Sequence, residues 1–195
     1  MRRLISLLSI FLLSWMLFSC DDMEMKDKTY NFFGDSIVNH WPVAEMFPSQ
    51  IVYNHGVSGA GIDYVKSNEN AFSGEDVVVM IGTNDYSVFY TDGLDEYVEE
   101  YLKYISKLTD KSIYLFSVLP RDYSTDPHDI NEKIVLFNEK VAVALRDCPR
   151  ITYIDVFDDF MYEGHINYQF YSDGLHLTIY GYEVLASNLL NVINQ

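Results

Sequence analysis

Five short runs rich in Val, Ile, Tyr and Phe, spaced by stretches of helical periodicity, restrict the folds open to this chain. The runs are Tyr30 to Phe33, Ile51 to Tyr53, Val77 to Ile81, Ile113 to Leu119 and Ile151 to Ile154. They lack the apolar-polar alternation of a strand with one wet face, so they read as strands covered on both sides. Helical spacing is found around Val38 to Met46, around Ile62 to Asn68, and over Leu94 to Leu108, Ile130 to Arg146 and Ile179 to Ile193. In the third of these, Leu94, Tyr97, Val98, Tyr101, Leu102, Ile105 and Leu108 form the i, i+3, i+4 stripe of a helix with one buried face. Buried strands alternating with amphipathic helices imply an α/β fold: a three-layer α/β/α sandwich on a parallel sheet of about five strands. With 195 residues there is material for one well-filled core, and no repeat or Pro/Gly-rich linker divides it.

The first residues follow a different rule. Arg2 and Arg3 precede an apolar run from Leu4 to Phe18 that ends in Ser19-Cys20. At about 15 residues the run is short for a membrane span and has the length of a signal-peptide core. A small residue before a cysteine at this place resembles the lipobox of bacterial lipoproteins, although Phe18 is bulkier than that pattern prefers. The resemblance implies a signal peptide over residues 1–19 and acylation, palmitate included, of Cys20. Residues 20–28 would then be a charged tether and 29–195 the folded domain. The expected location is the bacterial cell envelope, lipid-anchored and facing periplasm or cell surface. The second cysteine, Cys148, would have no disulfide partner and reads as a small buried hydrophobe near a helix end. A formal charge of -16 argues against nucleic acid as a partner, because phosphate binding needs clustered Lys and Arg.

In a parallel sheet ligands bind beyond the carboxyl ends of the strands. Polar turns containing glycine fall at those ends: Gly34-Asp35-Ser36 after the first run, Asn54-His55-Gly56 after the second, Gly82-Thr83-Asn84-Asp85 after the third. Asp173-Gly174-Leu175-His176 stands just before the last helix. A serine hydroxyl attacks an ester only if a base takes its proton, and an imidazole can do so and later return the proton to the leaving alcohol. Ser36 and His176 are the residues for those roles, and Asp173 could hold one ring nitrogen so that the other faces the serine. Taken singly, each also has a plain structural explanation: a helix cap for Ser36, a surface turn for Asp173 and His176, a backbone requirement for Gly56, a loop cap for Asn84.

As an ordered set the blocks GDSIV (Gly34 to Val38), NHGVSG (Asn54 to Gly59), GTND (Gly82 to Asp85) and DGLH (Asp173 to His176) resemble the SGNH hydrolase superfamily, the GDSL-type lipases and esterases. The match runs from the first strand to the last helix and implies a flavodoxin-like fold. It also implies Ser36 as nucleophile, His176 as base and Asp173 as its partner, with an oxyanion hole from Ser36, Gly56 and Asn84. Two positions depart from the common pattern, Val38 in place of threonine and His55 in place of arginine, and these are expected to bear on substrate. Asp35 and Asp85 are expected to bond turn backbone and hold Ser36 and Asn84.

No cofactor is expected, and His40, His55, His128 and His165 are too scattered to suggest a metal site. Two or three of Tyr86, Tyr90, Tyr123, Tyr168 and Tyr171 are expected at substrate, with Leu119-Pro120-Arg121 and the Met161 to Tyr171 loop shaping the acyl and leaving-group sites. The chain lacks the long insertion of a lipase lid, which favours a small acyl group, acetyl above all, on a carbohydrate. Competing accounts are a lysophospholipase or thioesterase on the same machinery, and a glycan-binding lipoprotein without turnover.

Overall fold

A computed structural model describes residues 28–194. The expected signal peptide, the Cys20 lipid site and all of the tether but Lys28 lie outside the described residues. Five parallel strands form the sheet: β1 (Thr29–Gly34), β2 (Ile51–Gly56), β3 (Asp76–Met80), β4 (Ile113–Phe116) and β5 (Ile151–Ile154), in the order β2-β1-β3-β4-β5. Gly34 at the end of β1 pairs with Gly56 of β2 and with Met80 of β3, so three strand ends share one rim.

Each face of the sheet carries its own core, because successive side chains on a strand point to opposite sides. Phe33, Val77, Val79, Ile113 and Leu115 face α3 (Ile62–Lys66), α4 (Leu94–Ile105) and α5 (Ile130–Ala144). Tyr30, Phe32, Val78, Met80 and Phe116 face α1 (Ser36–Asn39), α2 (Val43–Met46) and α6 (Ile179–Ile193). The three-layer α/β/α sandwich read from the sequence is therefore the fold present. Cys148 packs, half-buried, against the first of these cores.

Three local differences from the sequence reading have physical causes. The helix expected over Val38 to Met46 is two short ones, α1 and α2, since Pro42 between them has no N–H to give and restricts Trp41 before it. β2 is an edge strand rather than a strand buried on both faces: Ile51 is 41% exposed and Tyr53 52%. The segment after β3 is not an open turn but a run of 3-10 helix from Thr83 to Tyr90. Beyond β5, a two-stranded hairpin, β6 (Met161–Tyr162) and β7 (His165–Ile166), reaches out from the same rim.

Candidate active site

The site begins where β1 ends. Asp35 caps α1, its Oδ1 accepting the Ile37 N–H at 2.9 Å, and this sets Ser36 at the first helical position with its N–H unused within the helix. Gly34 and Gly56 make room for the turn. A methyl group on Gly34 would collide with the Met80 carbonyl, and one on Gly56 with the backbone of Val38 and Asn39. The turn is thus pressed between its neighbours, and Ser36 is only 6% exposed.

Asp35 is itself buried. Removal from water pushes its carboxyl up to about 7; the Ile37 N–H and the His176 ring oppose this, and Asp85 adds to it. Its Oδ2 has no hydrogen-bond partner among the described residues.

The second half arrives from the far end of the chain. A bridge between Tyr171 and Leu177 closes the 172–176 turn, and the Ser172 N–H donates to the His176 carbonyl at 2.8 Å. Inside that turn Asp173 Oδ1 accepts the backbone N–H groups of Leu175 and His176, at 3.0 and 2.7 Å. Its Oδ2 lies 2.7 Å from His176 Nδ1, and His176 Nε2 lies 3.2 Å from Ser36 Oγ. Partial burial works to raise the Asp173 carboxyl, but hydrogen bonds from the His176 ring and the two backbone N–H groups outweigh it and hold the pKa below the ordinary range. An ionised Asp173 can only accept, so Nδ1 carries the ring proton and Nε2 is left to accept from the serine hydroxyl. Helix α6 brings this turn to α1: the Tyr182 hydroxyl donates to the Ile37 carbonyl at 2.9 Å, and its ring stacks on Trp41.

The donors beside Ser36 come from two loops. Asn84 is exposed, and one N–H of its amide donates to the Ala60 carbonyl at 2.8 Å, which leaves the second free to aim elsewhere. Gly56 does not serve as expected: its N–H already donates to Asn54 Oδ1 at 2.9 Å, and the residue's role is to let β2 approach α1. Gly59, in the same loop, has the open donor. It sits at φ +79 in a turn closed by the Ala60 N–H on the Val57 carbonyl, and its own N–H has no partner among the described residues. That position is one residue from the carbonyl that holds Asn84. The sequence signal for Gly59 was the second glycine of NHGVSG, which spacing alone could not rank against the first.

Asp85 accepts the Ile62 N–H and the Tyr97 hydroxyl, both at 2.9 Å, so it fixes the loop after β2 rather than its own turn. His55 turns away from the rim: its ring bonds Asn31 at 2.9 Å and lies against Phe72, and burial lowers its pKa. Val38 is buried in the core. Neither departure from the pattern therefore has its side chain bonded to Ser36, His176 or Asn84.

Arg121, expected to shape the substrate site, is 5% exposed and ion-paired with Asp126 at 2.6 Å. It donates to the Thr83 carbonyl and hydroxyl, and its guanidinium lies over the Tyr86 ring, so its work is to brace the turn that carries Asn84. Nothing in the sequence marked this arginine as buried. Tyr171 is also structural, its hydroxyl donating to the Pro120 carbonyl at 2.6 Å, and Tyr90 bonds Asp129. Tyr168 remains 60% exposed. His40 is exposed with its ring 5.6 Å from that of His176. No group of three or more His, Cys, Asp or Glu among the described residues is gathered for a metal ion.

Residues 32–184 match the model of the GDSL-like lipase/acylhydrolase family. Solved structures with the same fold include a candidate platelet activating factor from Streptococcus pneumoniae, at 25% identity and a TM-score of 0.69 over 87% of this chain and 86% of that one. A GDSL-like lipase from Bacteroides thetaiotaomicron superposes at 20% identity with a TM-score of 0.68, covering 87% and 89% of the two chains. An acetylxylan esterase from Geobacillus stearothermophilus does so at 19% identity with a TM-score of 0.63, covering 86% and 94%. No curated protein sequence matches the chain.

Proposed function

This chain belongs to the GDSL-like lipase/acylhydrolase family, and from that premise we propose that it cleaves carboxylic esters through an acyl group carried on Ser36, with small acyl groups on carbohydrate as its substrates. One observation carries the reading: an unbroken line of hydrogen bonds from Asp173 through His176 to the Ser36 hydroxyl, between residues 140 positions apart in sequence.

Ser36 Oγ attacks the ester carbon as its proton passes to His176 Nε2, and the imidazolium so formed is stabilised by Asp173. The carbonyl oxygen becomes an oxyanion that takes hydrogen bonds from the Ser36 N–H, the free Asn84 amide N–H and the Gly59 N–H. Collapse breaks the bond to the alkoxy group, which leaves with the proton from His176. Water then attacks the acyl-serine, giving its proton to the same nitrogen, and the acid departs as Ser36 recovers its hydrogen. Asp173, held below the ordinary carboxylate range by its hydrogen bonds, stays charged throughout.

The preference for a small acyl group is supported by the surroundings of Ser36. Ser36 is 6% exposed in a turn pressed against the strand ends, whereas a long acyl chain would need an apolar channel beginning at the serine. The acetylxylan esterase among the structural neighbours agrees with an acetylated glycan as substrate.

The test is hydrolysis of p-nitrophenyl acetate by wild type and Ser36→Ala, together with labelling by a fluorophosphonate. Loss of the nucleophile should lower kcat by about 10⁶-fold and abolish labelling, with the thermal unfolding transition kept. Hydrolysis surviving in Ser36→Ala would move the nucleophile elsewhere.

A further inference from the structure

The rim that bears Ser36 and Asn84 continues past the ends of β4 and β5. There the loop between β4 and α5, the first turns of α5 and the β6–β7 hairpin enclose a groove of about 630 Å³. Asp122, His128, Glu132, Val135, His165 and Tyr168 are among its walls, and no Lys or Arg lines it.

The groove is tied directly to the turn that holds the base. The Asp122 N–H donates to the Gly174 carbonyl at 2.8 Å, and Gly174, at φ +84, comes so close to the Asp122 carbonyl that a side chain there would collide with it. On its other side Asp122 accepts the Tyr168 hydroxyl. One wall of the groove and the Asp173–His176 turn are therefore joined by successive hydrogen bonds.

Its chemistry selects among ligands. Tyr168 offers an aromatic face, Asp122 and Glu132 accept hydrogen bonds, and His128 and His165 can accept or donate. A fatty chain laid here would strip water from those four polar groups and return no hydrogen bond, which is costly. A phosphate, sulfate or uronate would meet the Asp122 and Glu132 carboxylates with no Lys or Arg in the lining to offset them, on a chain whose formal charge is -16. A neutral sugar matches both parts, with its C–H face for the tyrosine ring and its hydroxyls for the acids and imidazoles. The volume is within the range of small-molecule sites.

Resting on the esterase reading above, we infer that this groove is the subsite for the alcohol side of the substrate and holds a neutral oligosaccharide whose acylated hydroxyl is presented to Ser36. Val135 projects from α5 and is 36% exposed, so Val135→Arg narrows the groove without touching the Asp122–Gly174 joint. His165→Ala removes one of the imidazoles as a second, independent change that also leaves this joint intact. With the full-length chain, kcat/KM is compared between p-nitrophenyl acetate, which carries no sugar, and acetylated xylo-, cello- and chito-oligosaccharides. The expected result is that each variant lowers kcat/KM for at least one oligosaccharide tenfold or more relative to p-nitrophenyl acetate, chiefly through KM. Equal losses on both kinds of ester, or no loss on either, overturn the subsite, as does a wild type that cleaves p-nitrophenyl acetate but none of the three oligosaccharides. A wild type inactive on p-nitrophenyl acetate as well would instead strike the reading of Ser36 on which the subsite depends.

Discussion

Ser36 is 6% exposed and stands at the middle of the rim, clamped by glycines and by three neighbouring strands, whereas the Asp173 side chain is 39% exposed on a turn closed by its own hydrogen bonds. The nucleophile is placed by tertiary packing. The base and its partner are oriented by local geometry, since Asp173 spends one oxygen on the turn's backbone and the other on the ring. Two consequences separate them: a change in the glycines that clamp the first turn is felt by the whole fold, and a change at Asp173 falls chiefly on the chemistry.

The largest effect expected from this contrast is on the chemistry side. Asp173→Asn keeps an oxygen for the backbone but lets the amide face His176 as a donor, which favours the wrong ring tautomer. A fall in kcat of about 10⁴ on p-nitrophenyl acetate is expected, with a melting temperature close to that of wild type. If stability fell as far as activity, the turn would not be the self-contained unit described.

Gly56→Ala should do the reverse. The added methyl meets the backbone of α1, which cannot yield without shifting Ser36, so urea unfolding should show a loss of about 3 kcal/mol or more. Activity at permissive temperature should fall only as far as Ser36 is displaced. A stable variant with its transition unchanged would show that β2 and α1 can move apart.

The smallest effect is a matter of sign. Asp35, raised to about 7 in the folded protein, keeps a proton there that the unfolded chain releases near the ordinary carboxylate value of 3.8, so its contribution to stability falls as pH rises through that interval and levels off above it. Asp173 has the opposite sense: its depressed pKa lends stability above the unfolded value, lost only as pH drops through the folded one. The melting temperature of Asp35→Asn relative to wild type should therefore rise by about 5 °C or more between pH 5 and pH 8, measured by differential scanning calorimetry. The corresponding difference for Asp173→Asn should stay level over that range. A flat difference for Asp35→Asn would mean that its buried carboxyl is ionised throughout.

The same contrast governs what the sequence alone makes legible. The Asp173–His176 relation is four residues long, and its geometry follows from a turn, so spacing revealed it. The central strands were legible because burial on both faces leaves nothing polar in Val77 to Met80 or Ile113 to Phe116. β2 carries the same residue types, yet its position at the edge depends on pairing order, which composition does not encode. Gly56 and Gly59 looked alike in sequence; only an account of which N–H is already committed tells them apart. Arg121 was misjudged for a similar reason, as an arginine reads as a surface charge until Asp126 and Thr83 are found around it.

The exposure of Asn84 and of the Asp173–His176 turn has a bearing on deacylation. Ser36 itself is buried, so under the proposed mechanism an acyl group on it would meet solvent only along the side where Asn84 and the Asp173–His176 turn are exposed. That side is next to His176 Nε2, the atom that must take a proton from water in the proposed second step, so the route by which water arrives is set by the same turn that holds the base.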